Sequence, residues 1–165
     1  MKNKFFCSQL IIGFIVIVFA ENALGQLDSA SHPNQQSWLS SENPTLAKNK
    51  QIAYDFLREV IEAGHLELVE KYMSETYIQH DPNVNTGRQG FIDHMSKFNN
   101  PQPIADSVKG PLIAIVAEGN LVVLVYKLEL PDPNDPTKKY ITTSFDMLRI
   151  EKGKLVEHWD AETKQ

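Results

Sequence analysis

Cysteine is nearly absent from this sequence: the chain has 165 residues and a single cysteine, Cys7. An intrachain disulfide is therefore excluded, and so is a metal site built from several thiolates. Basic residues are also scarce, since 16 lysines and arginines stand against 21 acidic residues and give a net charge of −5. This balance disfavours nucleic acid and anionic membrane surfaces as partners.

The longest apolar run lies near the N-terminus, at residues 5–20, behind a head that contains two lysines. Together with small residues at both recognition positions of Ala23-Leu24-Gly25, this run predicts a secretory signal peptide over 1–25, cleaved before Gln26. An uncleaved membrane anchor is the alternative, but the run is short for a hydrocarbon core of about 30 Å. We therefore expect an exported protein, periplasmic or secreted, with no stable membrane anchor. Cleavage removes two lysines and one glutamate and leaves 14 basic and 20 acidic residues, a net charge of −6.

Residues 26–43 are rich in Ser, Asn, Gln and Pro, which predicts a flexible spacer without a fold of its own. Residues 44–165 are long enough for one compact domain. Helical periods come first in this domain. They predict a long amphipathic helix from Pro44 to about Gly64, with Asn43 as its cap, a short helix over 66–73 and a third helix over 88–99.

Alternating apolar residues replace the helical period after Pro103. They predict antiparallel strands, with a longer proline-containing connection at 131–137. Helices followed by strands are typical of an α+β domain in which a curved antiparallel sheet wraps around the helices and leaves a pocket. The predicted strands cover 107–109, 112–117, 121–130, 140–150 and 154–160.

The last predicted hairpin carries acidic residues and a histidine. A three-residue loop, Glu151-Lys152-Gly153, would place Asp146 opposite His158 and Ser144 opposite Asp160, all on one face of the sheet. Two carboxylates and one imidazole would converge there. A two-residue loop would instead move Asp146 opposite Trp159 and separate the cluster.

The opposite face of the same hairpin would carry Leu155 and Trp159 together with two oppositely charged residues. Arg149 and Glu157 are expected to form an ion pair across the strands there.

Three segments of the chain resemble the SnoaL-like group of the NTF2-like superfamily: Tyr77 to Pro82, Gly87 to Phe91, and Asp146 to Asp160. The resemblance extends over the whole domain. It implies an NTF2-like cone, in which N-terminal helices pack in a curved antiparallel sheet around an apolar cavity, and it implies a homodimer. Family members include polyketide cyclases that close a ring by aldol condensation with an acid/base carboxylate and no cofactor, while other members of the superfamily catalyse other reactions or only bind a ligand.

Aldol chemistry requires a base that removes a proton next to a carbonyl and a donor that holds the enolate. The resemblance matches Asp160 to the acid/base aspartate of the cyclases, and Asp146 stands nearest to their partner histidine. Two carboxylates on one face would raise one pKa, so that a neutral Asp146 could donate while Asp160 stays ionised, or the reverse. A structural pair that is hydrogen-bonded only for packing is the alternative.

Three histidines need separate interpretations. The resemblance implies that His80 lies at the pocket mouth near Tyr77, where it could orient or protonate a substrate oxygen; a histidine that only bonds its loop is the alternative. His158 could be the partner of Asp146 or lie at the rim of the sheet. His94, on the third helix, is expected in solvent.

No metal or cofactor is predicted, because the candidate ligands lack the close spacing of a dedicated site and no phosphate-binding loop occurs. The leading hypothesis is a cofactor-free acid/base catalyst acting on a small apolar carbonyl compound by aldol condensation, cyclisation or isomerisation. A non-catalytic small-molecule-binding or dimerisation module is the alternative. Substrate-binding walls, or simple core, are expected from Phe56, Tyr77, Phe91 and Met95, with Val123, Val125 and Phe145 as further candidates.

Overall fold

The computed structural model describes residues 34–164 of the chain. The predicted signal peptide and residues 26–33 of the predicted spacer lie outside these residues. Among the helices described, none is long and apolar enough to cross a membrane.

The long first helix begins where the sequence predicts. The Asn43 side chain accepts a hydrogen bond from the Thr45 backbone nitrogen at 2.9 Å, and Pro44 is the first helical residue. Gly64 follows the end of this helical segment with a φ of 73°, a conformation that glycine adopts without strain. The helical elements are α1 (Gln36–Leu39), α2 (Pro44–Phe56), a π-helix that continues α2 (Leu57–Glu62), a 3-10 turn (Leu66–Leu68), α3 (Val69–Tyr72) and α4 (Arg88–Met95).

Five strands form one curved sheet in the order β1-β5-β4-β3-β2. The predicted α+β class, with helices packed against a curved sheet, is confirmed. The predicted strands after Pro103 that form the sheet, β2 to β5, pair antiparallel as expected, and β1 joins them at one edge by pairing with β5 in parallel. The strands are β1 (Met73–Gln79), β2 (Leu112–Glu118), β3 (Leu121–Asp132), β4 (Asp135–Glu151) and β5 (Lys154–Trp159).

The predicted connection at 131–137 is wrong, since β3 and β4 extend to Asp132 and Asp135 and leave a two-residue turn. An aspartate side chain closes that turn, because Asp132 Oδ1 accepts a hydrogen bond from the Asn134 nitrogen at 2.8 Å. An Asx turn of this kind stabilises a tight turn in place of a longer loop, and strands tolerate proline at their ends.

The predicted spacer and the predicted strand at 107–109 meet in the core, and both predictions need correction. Gln35 is buried; its Nε2 donates to the Val108 oxygen at 2.8 Å, and its Oε1 accepts from the Val108 nitrogen at 3.1 Å. The Tyr54 hydroxyl also donates to Gln35 Oε1. Val108 therefore bonds to a side chain instead of a neighbouring strand, and residues 34–43 belong to the domain. A polar composition does not exclude burial when every amide group finds a partner.

The concave face of the sheet packs against the helices and forms the core. Side chains on this face alternate with those on the convex face, as the two-residue period of a strand requires. The largest fully buried residues are Tyr54, Val60, Val69, Met73, Val108, Leu112, Val122 and Leu155.

Candidate active site

A cavity of about 300 Å³ lies between α2 with its π-helical extension, α4 and the concave face of the sheet. One part of its wall is apolar and the other carries three carboxylates, two imidazoles, an amide and two phenols. The polar part comes mainly from the end of β1, from Asp146 within β4, and from the end of β5 with the residue that follows it. The lining residues are Phe56, Leu57, Ile61, Tyr77, Gln79, Asp81, Val84, Phe91, His94, Met95, Leu124, Tyr126, Asp146, Leu148, His158 and Asp160.

The hairpin that supplies the polar wall has a two-residue loop, so the predicted three-residue loop is wrong. Lys152 and Gly153 have φ values of 49° and 78°, which are typical of the tight turns that suit the twist of a hairpin. Val156 is then an extra residue on β5, because Ile150 pairs with Leu155 and Arg149 pairs with Glu157. This β-bulge shifts the pairing by one further residue.

The shorter loop and the bulge together shift the register by two residues, which preserves the face that each later side chain occupies. His158 therefore faces Leu148 instead of Asp146. The predicted convergence is nevertheless confirmed: His158 Nε2 lies 3.4 Å from Asp146 Oδ1, and His158 Nδ1 lies 3.9 Å from Asp160 Oδ2. Leu155, which was expected on the other face, is fully buried on the concave side.

Gln79 fixes the protonation of one nitrogen of His158. Gln79 Oε1 accepts a hydrogen bond from the Asp81 backbone nitrogen at 3.1 Å, and His158 Nδ1 lies 2.9 Å from the same oxygen. An amide oxygen can only accept, so His158 Nδ1 must carry a proton. Nε2 then faces Asp146 Oδ1, and these two atoms would repel each other if neither carried a proton. A proton on Nε2 would let His158 donate to Asp146 across this contact.

Two tyrosines keep their hydroxyl protons next to this cluster. Burial raises the pKa of Tyr126 above its usual range, and the charge of Asp146, to which its hydroxyl donates a hydrogen bond, adds to the effect. Burial also raises the pKa of Tyr77, with further contributions from the charges of Asp146, Asp160 and Asp81. Both phenols are therefore hydrogen-bond donors at neutral pH.

The side chains of Asp160 and His158 are 15% and 14% exposed, whereas Asp146 is 34% exposed. The most enclosed carboxylate of the cluster is thus Asp160, and Asp146 is the one that solvent reaches more easily. All three residues offer ligand atoms within 4.8 Å of one another, a grouping that could also hold a cation. The absence of a metal therefore stays a prediction.

His80 does not join this cluster. It lies on the convex side, where its Nε2 is 2.7 Å from Glu157 Oε1 and its ring stacks on Trp159 with centroids 5.0 Å apart. Its side chain is 42% exposed and is not part of the cavity wall. The expected position at the pocket mouth is therefore wrong, because His80 follows Gln79 on a strand and adjacent residues face opposite sides.

The chain's family follows from the sequence that builds this cavity. The model of the SnoaL-like polyketide cyclase family matches residues 51–165, which include every strand and every cavity residue. The chain belongs to this family. The inferred resemblance is confirmed.

Several solved structures are similar to this SnoaL-like protein. A candidate polyketide cyclase of Acidithiobacillus ferrooxidans is 21% identical, with a TM-score of 0.50, and the match covers 73% of this chain and 89% of that one. IdmH, a candidate polyketide cyclase of Streptomyces antibioticus, is 20% identical with a TM-score of 0.46 and coverages of 68% and 89%. An NTF2-like protein of unknown function from Burkholderia pseudomallei is 12% identical with a TM-score of 0.49 and coverages of 70% and 91%. No curated protein matches the sequence of this chain.

The apolar wall of the SnoaL-like cavity contains Phe56, Tyr77, Phe91 and Met95, as expected, and their role in binding stays a prediction. Phe91 packs against Phe56 and Tyr77 with ring centroids 5.7 and 6.4 Å apart, which makes this wall continuous.

Three other expected wall residues lie outside the cavity, because their register places them on the convex face. Val123 pairs with Met147, and Val125 pairs with Phe145, which is 49% exposed. Asp146 and Phe145 are neighbours on β4, so they cannot both face the cavity. The wall uses the alternate positions Leu124, Tyr126 and Leu148.

Four polar residues of the cavity escaped the sequence analysis as site residues: Gln79, Asp81, Tyr126 and His94. His94 was expected in solvent, yet it lines the cavity from α4. The helical spacing could have predicted this position. His94 stands three residues after Phe91 and one before Met95, which places it on the cavity side of α4.

Proposed function

We propose that this SnoaL-like protein is a cofactor-independent acid/base catalyst that acts on a small apolar carbonyl compound by aldol-type condensation, cyclisation or isomerisation. One observation carries the proposal. His158 lies between Asp146, at 3.4 Å, and the more enclosed Asp160, at 3.9 Å, in a cavity that also has an apolar wall. A base and a proton donor within one pocket are what proton transfer at carbon requires.

Asp160 acts as the base in this proposal and removes a proton from the carbon next to the substrate carbonyl. The enolate oxygen accepts a hydrogen bond from a phenol of the wall such as Tyr77. The enolate carbon then attacks a second carbonyl carbon and forms a C–C bond, while a proton held between Asp146 and His158 moves to the new alkoxide. The proton held by Asp160 returns to the Asp146–His158 pair through water, so that no proton is gained or lost over the cycle.

The cavity volume limits the substrate. A volume of about 300 Å³ is at the lower end of the range of roughly 300 to 1,000 Å³ for small-molecule sites. A compound of one or two fused rings suits this space better than a larger polycycle. The aromatic side chains of Phe56 and Phe91 offer flat surfaces for such rings.

Proton exchange at carbon provides a test that needs no knowledge of the natural substrate. We expect the protein to accelerate the exchange of the α-protons of 2-tetralone for deuterium in D₂O, followed by proton NMR. Asp160→Asn should lower this acceleration by about 100-fold because the base is lost. Asp93→Asn, a matched change at an exposed aspartate of α4, should leave the rate unchanged.

A folded Asp160→Asn variant that exchanges protons as fast as the wild type would overturn the proposed reaction. The non-catalytic binding module would then be the better description, because the same carboxylate would only accept a hydrogen bond from a bound molecule.

We also propose that the protein is exported and matured by removal of residues 1–25. The basic head, the apolar run and the small residues before Gln26 support this proposal. Intact mass measurement of the protein recovered outside the cytoplasm should give a chain that begins at Gln26. A membrane-bound chain that retains its first residue would contradict it. The expected homodimer stays a prediction.

A further inference from the structure

His94 is a polar residue of the cavity wall to which the proposed reaction assigns no role. It lies on α4 between Phe91 and Met95, which both line the same cavity. Its ring packs against Phe98 with centroids 5.7 Å apart. Among the described residues, Nδ1 of His94 is the one buried side-chain nitrogen or oxygen without a hydrogen-bond partner.

The burial of Nδ1 determines which form of the imidazole is favourable. A proton on Nδ1 would leave a buried donor without an acceptor, and this holds for the cation as well as for the Nδ1–H tautomer. The neutral Nε2–H tautomer avoids that cost, because only an acceptor lone pair is then unsatisfied. Nε2 of His94 is therefore the nitrogen that can donate a hydrogen bond.

Most other polar groups of the cavity are already used by the protein. Nδ1 of His158 donates to Gln79 Oε1, and the Gln79 Nε2 donates to the Tyr77 hydroxyl at 3.3 Å. The Tyr126 hydroxyl donates to Asp146. The carboxylates can only accept when ionised. The Tyr77 hydroxyl accepts in its contact with Gln79 and so keeps its own proton for a substrate oxygen. A second donor to that oxygen would have to come from another group of the wall, in which acceptors are in excess.

We propose that the Nε2–H group of His94 binds the carbonyl oxygen of the substrate and holds the negative charge that develops there when Asp160 removes the neighbouring proton. The inference rests on the proposed function and adds the recognition element of the same site. A neutral imidazole suits this task because the acidity of its N–H group is close enough to that of an enol for a strong hydrogen bond to form. The proton nevertheless stays on the imidazole. The ligand class is therefore a planar, apolar ketone or its enol.

Two substitutions at this position distinguish the nitrogens of the ring. His94→Gln places an amide NH₂ group near the position of Nε2, whereas His94→Asn places its amide near the position of Nδ1. The probe is 2-naphthol, a stable planar analogue of the enol of 2-tetralone, with binding followed by fluorescence titration. We expect His94→Asn to weaken 2-naphthol binding about tenfold or more and His94→Gln to stay within about threefold of the wild type.

Imidazole ¹⁵N NMR gives a second readout that does not depend on substitution. In the free wild-type protein, His94 should show a protonated Nε2 and an unprotonated Nδ1, and saturation with 2-naphthol should shift the Nε2 resonance. A protonated Nδ1, an unchanged His94 spectrum in the complex, or no 2-naphthol binding by the wild type would each overturn the inference.

The two proposals fail in different ways. Asp160→Asn should lose the exchange of 2-tetralone protons but keep 2-naphthol binding, because the base is not needed for recognition. A wild-type protein that binds 2-naphthol through His94 without exchanging protons would support the recognition role and overturn the reaction. Full affinity and full exchange in a folded His94→Asn variant would overturn the role of His94 and leave the reaction standing.

Discussion

Strand β5 places similar side chains on its two faces and gives them different surroundings. On the convex face, Glu157 accepts hydrogen bonds from Arg149 Nε at 2.7 Å and from His80 Nε2 at 2.7 Å. On the concave face, the next residue, His158, lies between two carboxylates, Asp146 and Asp160. Each face thus combines a histidine with acidic groups.

The faces differ in charge balance and in access to a cavity. On the convex face, the guanidinium of Arg149 contacts both Glu157 and Glu151, so that acidic charge there has a permanent cation beside it. On the concave face, two carboxylates share one imidazole, and none of the arginines or lysines within residues 34–164 lines the cavity. Residue type alone therefore does not mark the site. The site is marked instead by an excess of acidic charge next to an enclosed apolar space.

The largest expected effect is a difference in activity between a variant of the concave face and a matched variant of the convex face. Asp146→Asn removes the carboxylate that faces His158 Nε2, and we expect the exchange rate of 2-tetralone protons to fall by about 100-fold. Glu157→Gln, the matched change on the convex face, should leave that rate within about twofold of the wild type. Deuterium incorporation measured by NMR on both variants gives the comparison.

Equal losses in the two variants would break the distinction between the faces. In that case the ion pairs of the convex face would be holding the concave side chains in position, and the charge balance would not explain where the site lies.

A smaller effect is expected in stability and should depend on pH. Hydrogen bonds from His80 and then from Arg149 hold the pKa of Glu157 below its ordinary value of 4.5. A carboxylate with a lowered pKa contributes stability that is fully present above its unfolded pKa and is lost as the pH falls through the folded value. Glu157→Gln should therefore destabilise the protein by up to about 1 kcal/mol at neutral pH, and the difference should shrink below pH 4.5. Urea unfolding at pH 7 and pH 3.5 measures it.

His80→Gln serves as the control for this prediction. It leaves Arg149 beside Glu157, so only part of the stability loss should appear, and the exchange rate should not change. A large loss of exchange in His80→Gln would restore the catalytic role that the sequence predicted for this histidine.

Local patterns predicted those parts of the fold that depend on neighbouring residues. Asn43 and Pro44 define the start of α2 through their own side-chain and backbone chemistry, so the sequence alone predicts where this helix begins. The shared face of His158 and Asp160 followed from the two-residue period of a strand. Asp146 joins them because the bulge at Val156 offsets the change of face that the shorter loop would cause.

Features that depend on distant residues could not be predicted in the same way. The parallel pairing of β1 with β5 joins segments about eighty residues apart, and the burial of Gln35 depends on Tyr54 and Val108. The cross-strand partner of His158 was misassigned because the turn is one residue shorter than predicted and because the bulge at Val156 leaves no local signal in the sequence.

The two-residue turn after Glu151 and the bulge at Val156 together decide which face of the sheet the β5 side chains occupy. A slip of β5 against β4 by two residues would keep His158 on the concave face, whereas a slip by one would turn it to the convex face, away from Asp146. A one-residue slip would be harmless only together with the loss or gain of a bulge. Whether the pairing register is odd or even is in this sense part of the active site.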